Sequence, residues 1–403
     1  MKNDENSFPV RAEAPKRHWL NSTILGVGIA SLFSDVGHEM ATTALPALLA
    51  TIGGASATLG IIEGLADGLS SFAKLFSGLY SDRLEKRKPL AVVGYFVTAS
   101  GMASFGVATK LWHVFLGRAF GWVGRGARTP VRNVLLTEAT TPETYGKAFG
   151  LERAMDSAGA VIGPLLATLI VAQVGLRETF FLTLIPGILA ALCIWFLVKE
   201  KPHKSQPHTR LMSGLSSLPH QYKKFLFGVG IAGIGDFSNT LLILWATQSW
   251  MPIYGTVKAT SMAMSFYVLF NVIYSLTCYL SGSFADRYPK HRVLAFGYVI
   301  AVIPAIALMI PGGSILKFAV VFIFSGFYMG IWETVESTSA ASLLPQELRG
   351  VGFGALATIN GIGDLISSIV VGILWSVTPL LAMGFVIVSS LVGAGIIATS
   401  RKY

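Results

Sequence analysis

The stretch GLYSDR at residues 78–83 returns as GSFADR at residues 282–287, and each position of the second copy lies 204 residues after its mate. The same offset carries FSD at residues 33–35 onto FSN at residues 237–239, and Gly150 onto another glycine. A constant offset over half of a chain indicates a duplicated unit. The sequence therefore predicts two copies of one structural repeat.

The composition is that of a membrane protein. Hydrophobic residues make up 53% of the chain and charged residues 13%, about half of the charged share of a soluble domain. Several stretches without Asp, Glu, Lys or Arg are long enough to cross a bilayer core of about 30 Å; they are residues 89–109, 179–198, 259–285, 293–316 and 365–400. We expect an all-α membrane protein rather than a soluble helical repeat protein.

Charged residues and Gly or Pro edges divide the chain into twelve predicted transmembrane spans. Spans 1 to 6 are residues 20–50, 57–80, 89–109, 112–136, 146–173 and 178–198. Spans 7 to 12 are residues 225–250, 258–284, 292–311, 317–343, 350–376 and 379–400. We predict two pseudo-symmetric halves of six helices, 20–198 and 225–400, joined by a linker at 199–224, with tails at 1–19 and 401–403.

Positive charge is distributed unevenly between the two ends of this bundle. Lys and Arg are frequent in both tails, in the linker and in the loop after span 2, whereas the opposite loops hold only Lys110, Arg177, Lys258 and Lys317. Loops rich in Lys and Arg stay in the cytoplasm, so we expect both termini and the linker to be cytoplasmic in a cytoplasmic (inner) membrane. This bias explains the net charge of +10 without a nucleic-acid partner.

The repeated loops resemble the signature loop of the major facilitator superfamily. The pattern G-x-x-x-D-R-x-x-[KR] fits the ends of spans 2 and 8, at Gly78, Asp82 and Arg83 and again at Gly282, Asp286 and Arg287. Arg118, with the glycines that follow it, is similar to the span-4 arginine motif of that family. The resemblance covers nearly the whole chain and implies a carrier of two six-helix halves.

Span 5 carries a second resemblance to this family. Gly150, Gly159, Gly163 and Pro164 fit G-x8-G-x3-G-P, the motif associated with its antiporters, although the closing Gly-Gly of that motif is Ala-Thr here. Gly159 and Gly163 also place two small residues on one helix face, which predicts close approach of another helix. Ordinary packing and an antiport role both remain open.

The aspartate of each repeated loop is a candidate gate residue. Span 11 begins near Gly350 on the same side of the membrane as Asp82. Because a carboxylate is stabilised at the positive N-terminal end of a helix, we predict that Asp82 contacts the first turn of span 11 and latches the cytoplasmic side shut. The alternative is that Arg83 and its basic neighbours serve only to set the topology.

Ionisable side chains within the spans are the sharpest functional signal, because each costs several kcal/mol unless it is paired or hydrated. Spacings of three, four and seven place them on shared helix faces. The first half has Asp35, His38 and Glu39 in span 1, Glu63 and Asp67 in span 2, and Arg118, Arg125, Arg128 and Arg132 in span 4. The second half has fewer, among them Asp236 in span 7 and Glu333 and Glu336 in span 10.

The depth of these residues separates two groups. At about 1.5 Å per residue, those nearest mid-bilayer are Asp35, Asp67, Arg118 and Asp236. We predict that this group serves proton coupling, since a carboxylate can be neutralised while the site changes side, and Asp35 is the first choice because its mate Asn239 carries no charge. A second group lies toward the cytoplasmic mouth and is interpreted as structural ion pairs: Arg128, Arg132, Glu152 and Lys74.

Two other chemistries stay open at these positions. Asp35, His38 and Glu39 combine imidazole and carboxylates, which suit a transition metal. The arginine stripe of span 4 is suited to gripping an anion, although nearby acids are available to neutralise it. In the family that this chain resembles, spans 1, 4, 7 and 10 line the cavity, which implies contacts from Asn239, Trp245 and Trp332.

These features favour a secondary active transporter that moves a small solute by alternating access, with proton-coupled antiport and export as the first expectation. The alternatives are proton- or metal-linked transport of an organic anion, metal ion or metal chelate, and a non-transporting membrane receptor or scaffold. The absence of a Walker loop, zinc-type spacing or nucleophile elbow predicts no enzyme activity and no cofactor. The expected partners are the solute, protons and the lipid bilayer, without nucleic acid, and a monomer is the working expectation.

Overall fold

The structure is a computed structural model that describes residues 19–53, 56–200, 211–236 and 239–399, except the side chains at 50, 56–61, 63, 64, 67, 211–213, 239, 240, 256 and 257. All regular structure in these ranges is helical, and the helices follow the twelve predicted spans. The span numbers are therefore kept.

The first half has four continuous helices and two spans with a change of helix type or a break. Spans 1, 2, 4 and 5 are the helices Ser22–Thr51, Ser56–Arg83, Leu111–Ala139 and Tyr145–Val174. Span 3 is Lys88–Ala103 followed by the 3-10 turn Ser104–Val107, and span 6 is Leu176–Leu182 followed by Leu184–Leu197. A 3-10 turn, Pro142–Thr144, leads into span 5.

The second half repeats this order with breaks at different places. Spans 8, 10, 11 and 12 are the helices Thr256–Arg287, Ile315–Leu343, Arg349–Val377 and Pro379–Ala398. Span 7 is His220–Gly233 followed by Asn239–Tyr254, and span 9 is Lys290–Ile300 followed by Val302–Met309. The short helix Leu211–Ser216 precedes span 7, and the 3-10 turn Gln346–Leu348 precedes span 11.

Polar side chains fix several helix starts. Asn21 caps span 1, because its Oδ1 accepts hydrogen bonds from the backbone N–H groups of Thr23 (3.0 Å) and Ile24 (3.1 Å). The carboxylate of Glu200, just after span 6, accepts from the N–H groups of Arg87 (2.5 Å) and Lys88 (3.0 Å) at the start of span 3. Both contacts satisfy donors that a helix start leaves without a partner.

Among the described residues, eight helical segments are long and apolar enough to cross a membrane by length and composition. They correspond to spans 3, 5, 6, 8, 9, 10, 11 and 12. Spans 1, 2 and 4 contain most of the charged residues of the first half, and span 7 is interrupted between Gly233 and Asn239. The departure from apolar character is therefore concentrated where the candidate site was predicted.

Packing across the two halves follows the repeat. Span 2 packs against span 11 and span 5 packs against span 8, so the two interfaces are equivalent under exchange of the halves. Repeat mates also meet each other. Arg349 Nη2 donates to the hydroxyl of Tyr145 (2.9 Å), and the rings of Phe149 and Phe353 lie 6.0 Å apart. A pseudo-two-fold axis therefore passes between spans 5 and 11, which confirms the prediction of two pseudo-symmetric halves.

One end of the bundle is named the basic end. It carries the loops after spans 2, 4, 8 and 10, which are residues 84–87, 140–144, 288–289 and 344–348. This is the end that the charge distribution predicts to be cytoplasmic. The loops between spans 1 and 2, 3 and 4, 5 and 6, 7 and 8, 9 and 10, and 11 and 12 lie at the opposite end.

Candidate functional site

A cavity of about 310 Å³ lies between the two halves. It is lined by residues of spans 2, 4, 5, 10 and 11. A cavity of a few hundred Å³ is large enough for one small organic molecule. Its position between the repeats is where a rocking carrier binds its substrate.

The two walls of this cavity are built from equivalent positions. Six pairs of repeat mates line it together: Arg128 with Trp332, Thr129 with Glu333, Arg132 with Glu336, Asn133 with Ser337, Arg153 with Ala357, and Asp156 with Asn360. The first member of each pair belongs to the first half. The fold thus presents the same positions from both sides, but the first half has three arginines at them, whereas the second half has two glutamates and no basic residue.

Asp35, the predicted coupling residue, lies just behind the wall of the cavity. Its Oδ1 is 3.0 Å from Arg125 Nη2, and its side chain is 6% exposed. Arg125 lines the cavity and also lies over the ring of Trp122, at 5.5 Å from its centroid. A buried carboxylate held by one guanidinium at the edge of a cavity is placed to exchange its ion pair for a proton.

Arg132 is the centre of a second cluster. Its Nη1 lies 2.7 Å from Glu152 Oε1 and 3.8 Å from Asp156 Oδ1, and it donates to the hydroxyl of Ser31 (3.0 Å). Ser31 in turn donates to Glu152 (2.7 Å). The predicted ion pairing of Arg132 and Glu152 is confirmed, although Arg132, Arg128 and Lys74 line the cavity itself instead of a separate mouth.

One ion pair crosses between the halves within the cavity. Arg153 Nε of span 5 lies 3.6 Å from Glu333 Oε2 of span 10. The hydroxyl of Tyr274 in span 8 donates to the same oxygen (2.5 Å). Glu333 was predicted as a site residue, and the structure gives it partners from both halves.

Among the described residues, the hydrogen-bond donors to Glu336 are neutral side chains. Trp332 Nε1 donates to its Oε2 (2.5 Å) and Asn360 Nδ2 donates to its Oε1 (2.5 Å). All three residues line the cavity. The predicted site residues Trp332 and Glu336 are therefore brought together in the second half.

Arg128 is the least satisfied of the lining cations. Its side chain lies against the ring of Tyr95, with Cζ 3.9 Å from the centroid, and the residue is 2% exposed. Its Nε and Nη1 have no hydrogen-bond partner among the described residues. The sequence placed this arginine among structural ion pairs, but in the structure its described contact is an aromatic ring.

Arg118 and His38 both pack against one tryptophan, Trp122. Arg118 Nη1 donates to the hydroxyl of Thr42 (3.2 Å), and its guanidinium lies 5.4 Å from the centroid of Trp122. The ring of His38 meets the same indole edge-on at 5.3 Å. Arg118 is thus a neighbour of the Asp35–Arg125 pair rather than a lining residue of the cavity.

The described geometry of span 1 does not gather a metal-ligand set. Asp35 faces Arg125, whereas His38 Nε2 lies 4.0 Å from Glu39 Oε1. Within the part of the chain that the structure describes, no group of three His, Cys, Asp or Glu side chains could hold a metal ion. Helix spacing predicted that the three residues share one face. In the structure the carboxylate of Asp35 pairs with Arg125, whereas that of Glu39 lies near His38.

Two other expected contacts lie away from the central cavity. Asp236 lies at the break in span 7 and lines a separate cavity of about 30 Å³ with Ser325, Tyr328 and Ser390. Trp245 stacks on Trp375 at 3.5 Å. The side chains of the predicted site residues Glu63, Asp67 and Asn239 lie outside the described residues.

Both predicted gate aspartates cap a helix of the other half. The two carboxylate oxygens of Asp82 accept from the N–H groups of Gly350 (2.9 Å) and Val351 (2.8 Å) at the start of span 11. The predicted contact is confirmed. Asp286 does the same at the start of span 5, where it accepts from Gly146 (2.7 Å) and Lys147 (2.9 Å). We call these contacts the two latches; both lie at the basic end.

Glycines allow the helices to cross closely beside each latch. A Cβ atom on Gly78 would meet the carbonyl oxygen of Gly350, and one on Gly146 would meet that of Gly282. Any side chain at these positions would separate the halves. The basic end is therefore closed by backbone contact as well as by charge.

Basic residues at the latches have unequal roles. Arg87, fully buried, lies 3.6 Å from Asp82 and 2.7 Å from Glu138, and its Nε donates to the carbonyl of Ser81. Arg83 and Arg287, which the motif singled out, are exposed at the ends of spans 2 and 8. The structural support of Asp82 comes from Arg87, which the motif did not single out.

The span-5 motif packs against the predicted coupling helix. A Cβ atom on Gly159 would lie 2.6 Å from the carbonyl of Leu32 and 2.9 Å from Asp35 Cβ. One on Gly163 would lie 2.6 Å from Glu39 Cβ. The predicted close approach is confirmed, and the partner is span 1. Gly150 approaches span 8, and the helix continues through Pro164 without interruption.

Sequence reasoning did not select several residues that form the site. Arg125, Arg128, Arg153 and Asp156 line the cavity or hold its ion pairs. The signal was present, since Arg125 and Arg128 share the helical stripe of Arg118. The prediction chose among the arginines of span 4 by their depth in the membrane. Depth does not indicate which of these arginines faces the other half.

Comparisons with known proteins agree with this architecture. Residues 27–368 match the family model described as Major Facilitator Superfamily. An uncharacterised MFS-type transporter of Methanocaldococcus jannaschii is 27% identical over 364 residues, which cover 89% of this chain and 90% of that protein. The multidrug resistance protein MdtH of Shigella boydii is 26% identical over 323 residues, covering 77% and 76%.

The fold is also that of a solved transporter. The crystal structure of FucP in the outward conformation superposes with a TM-score of 0.75 at 15% identity, and covers 94% of this chain and 99% of that chain. This likeness shows the fold, and the family match covers most of the sequence. The chain is a multi-pass membrane protein that belongs to the Major Facilitator Superfamily of transporters.

Proposed function

We propose that this protein is a proton-coupled secondary active transporter of a small solute, in a cytoplasmic membrane with the basic end facing the cytoplasm. The observation that carries this proposal is the buried pair of Asp35 and Arg125 at the wall of the central cavity. A carboxylate in this position changes charge when it takes a proton, and the adjacent guanidinium is then free to rearrange. The residue that takes the proton thus lies at the same cavity wall that contacts the substrate.

Alternating access follows from the latches. Asp82 and Asp286 hold the first turns of spans 11 and 5 at the basic end. Opening that end separates span 2 from span 11 and span 5 from span 8, and breaks the Arg153–Glu333 pair that crosses the cavity. A receptor or scaffold would have no use for two releasable latches and a charged cavity, each of which costs stability in a membrane.

The direction of coupling depends on the charge of the substrate. A cationic substrate competes with the proton for Asp35, which gives exchange. Export in exchange for protons is one candidate, and its support is that the antiporter-type glycines of span 5 pack directly on span 1 at Asp35 and Glu39. The name of the multidrug resistance relatives also supports export.

An anionic substrate gives the opposite coupling. It stabilises the neutral form of Asp35, so that anion and proton bind together and move together. The observation that favours this second candidate is the set of four guanidinium groups on the cavity wall, those of Arg125, Arg128, Arg132 and Arg153. The two candidates differ in the sign of one measurable quantity, the proton change on binding.

Proteoliposomes that contain the purified full-length protein and the pH-sensitive dye pyranine test the proposal. Three probes are added outside in turn: ethidium as a cation, naphthalene-2-sulfonate as an anion and naphthalene-2-carboxamide as a neutral molecule. We expect one charge class to change the internal pH, toward acid for cotransport and toward alkali for exchange.

Vesicles with Asp35→Asn protein are the matched control, because the amide keeps the shape of a protonated carboxylate. They should show no change in internal pH with any probe. Uptake of a probe by wild-type vesicles without any pH change would contradict proton coupling. A pH change of equal size in Asp35→Asn vesicles would contradict the role of Asp35.

A further inference from the structure

We infer that the substrate is an amphiphilic organic anion whose acidic group binds Arg128 and whose apolar body lies against Trp332. This inference rests on the proposed transport function and names the substrate class for the same cavity. It is carried by the geometry of Arg128, by the pairing of the other charges and by the chemistry of the facing wall.

Arg128 is a buried cation with unused donors. It lines the central cavity and is 2% exposed. Tyr95 covers one face of its guanidinium at 3.9 Å, while its Nε and Nη1 have no hydrogen-bond partner among the described residues. A guanidinium that is removed from water without an acceptor is strongly destabilising. A planar acidic group that enters the cavity would supply the missing acceptors, and the planar fork of arginine matches such a group.

The nearby acids already have partners. Asp35 is paired with Arg125, and Glu152 with Arg132. Glu333 accepts from Tyr274 and lies near Arg153, and Glu336 accepts from Trp332 and Asn360. Asp156 lies between Arg132 and Arg153 at 3.8 and 4.0 Å. Among the four guanidinium groups of the wall, that of Arg128 has no carboxylate within ion-pair distance among the described residues.

The second-half wall of the cavity carries an aromatic and apolar strip beside its acids, which are Glu333, Glu336 and Asp364. Trp332 is its repeat mate and lines the same cavity from span 10. Phe353, Leu356 and Ala357 extend this surface along span 11. An acidic group at Arg128 therefore places the rest of the molecule against an indole and aliphatic side chains. The volume of about 310 Å³ admits one aromatic carboxylate or sulfonate.

Binding of an anion here has a consequence for protons. Arg128 and Arg125 are one helical turn apart on span 4, and Arg125 holds Asp35. An anion near these guanidinium groups favours the neutral form of Asp35, and by reciprocity a proton on Asp35 favours the anion. Anion and proton should therefore bind together, which makes cotransport the coupling for this substrate class.

Thermal unfolding of the purified full-length protein tests the charge class. Naphthalene-2-sulfonate and naphthalene-2-carboxylate are compared at millimolar concentration with naphthalene-2-carboxamide, which keeps the ring and loses the charge. A ligand that binds only the folded protein raises the unfolding midpoint. We expect both anions to raise it and the amide to leave it unchanged.

Three variants locate the acidic group. Arg128→Gln should weaken binding of both anions by about tenfold to hundredfold, the loss expected when a hydrogen bond to a charged group is removed. Arg128→Lys keeps the charge but not the fork and should recover part of the affinity. Arg292→Gln removes the same charge from the exposed surface of the basic end and should bind as the wild type does.

Each outcome decides for or against the inference. It is overturned if the amide stabilises the wild-type protein as well as the anions do, if neither anion binds, or if Arg128→Gln retains the affinity. The wild-type comparison stands even if Arg128→Gln does not fold. If the anions bind but do not change the internal pH of the proteoliposomes, the proposed proton coupling is contradicted and the anion site is not. If only ethidium or only the amide changes the internal pH, the anion site is contradicted and proton coupling is not.

Discussion

The two halves of this transporter share a fold but differ in what they place on the central cavity. At equivalent positions the first half has Arg128, Arg132 and Asp156, and the second half has Trp332, Glu336 and Asn360. The latches, by contrast, are the same in both halves, with an aspartate on the first turn of the facing helix.

This contrast separates two tasks. Closing the basic end requires a contact on each side of the pseudo-two-fold axis, and both halves contain the aspartate that makes this contact. Binding a proton beside a substrate needs one titratable group, and we assign that role to Asp35 of the first half, which is paired with Arg125. The repeat mates of these two residues are Asn239 and Met329, which cannot form such a pair.

The largest expected effect comes from removing that titratable group. Asp35→Asn should abolish accumulation of substrate driven by a pH difference, because the amide cannot change its charge. Binding should survive, and so should exchange of substrate between loaded vesicle interiors and the medium. Uptake of radiolabelled naphthalene-2-sulfonate into proteoliposomes measures both activities.

Moving the acid to the other half sharpens the comparison. The double variant Asp35→Asn/Asn239→Asp keeps the number of carboxylates but places the acid opposite the half that has Met329 at the position of Arg125. We expect no recovery of pH-driven accumulation. Recovery would show that the pair with Arg125 is dispensable and that any mid-span acid suffices.

The free energy of unfolding should also respond differently to substitutions at equivalent cavity positions of the two halves. Arg132→Gln leaves Glu152 fully buried without its closest cation, which is expected to lower the free energy of unfolding by about 3–5 kcal/mol. Glu336→Gln, at the equivalent position of the second half, loses one hydrogen-bond acceptor to neutral donors and should cost about 1 kcal/mol. Thermal unfolding in detergent compares the two variants.

A double variant controls for the loss of the ion pair. Arg132→Gln/Glu152→Gln removes both charges and should recover part of the stability that Arg132→Gln loses. Equal destabilisation by Arg132→Gln and Glu336→Gln would remove the distinction between an acid held by an arginine and an acid held by neutral donors.

The smallest effect is expected at the latches. Asp82→Asn and Asp286→Asn each remove a charge from a helix N-terminus, an interaction of about 0.3–2 kcal/mol, so the basic end should open a few times more often. The effect of Asp82→Asn should be the larger, because Asp82 is almost fully buried beside Arg87. Labelling of Ser337→Cys, a cavity position, by an impermeant maleimide from the basic end reports the opening in a background without native cysteines. Identical labelling rates in all three proteins would leave these aspartates with a topological role alone.

Much of the fold could be predicted from the sequence, because both the distribution of charged residues and the internal repeat are visible in the sequence itself. Charge-free stretches together with charged, Gly or Pro edges predicted the twelve spans, and the 204-residue offset predicted the two halves. The latch of Asp82 was predictable because the end of span 2 and the start of span 11 must lie on one side of the membrane. The breaks in spans 6, 7 and 9 carry no comparable signal.

The candidate site was predicted less completely. Depth along a helix indicated that Asp35 lies at the centre, and the structure places it beside the cavity. Depth along the helix also selected Asp236, but this residue lies at the break in span 7 and lines a separate cavity. Arg125 and Arg128 were known as members of a stripe, but which member meets an acid and which meets Tyr95 depends on packing between distant spans.

The proton change on anion binding tests the central claim most directly. Naphthalene-2-sulfonate is added to purified protein in weakly buffered solution with a pH indicator. The wild type should take up protons, and Asp35→Asn should take up none while still binding the anion. Proton release by the wild type, or uptake that persists in Asp35→Asn, would contradict the linkage of substrate and proton through the Asp35–Arg125 pair.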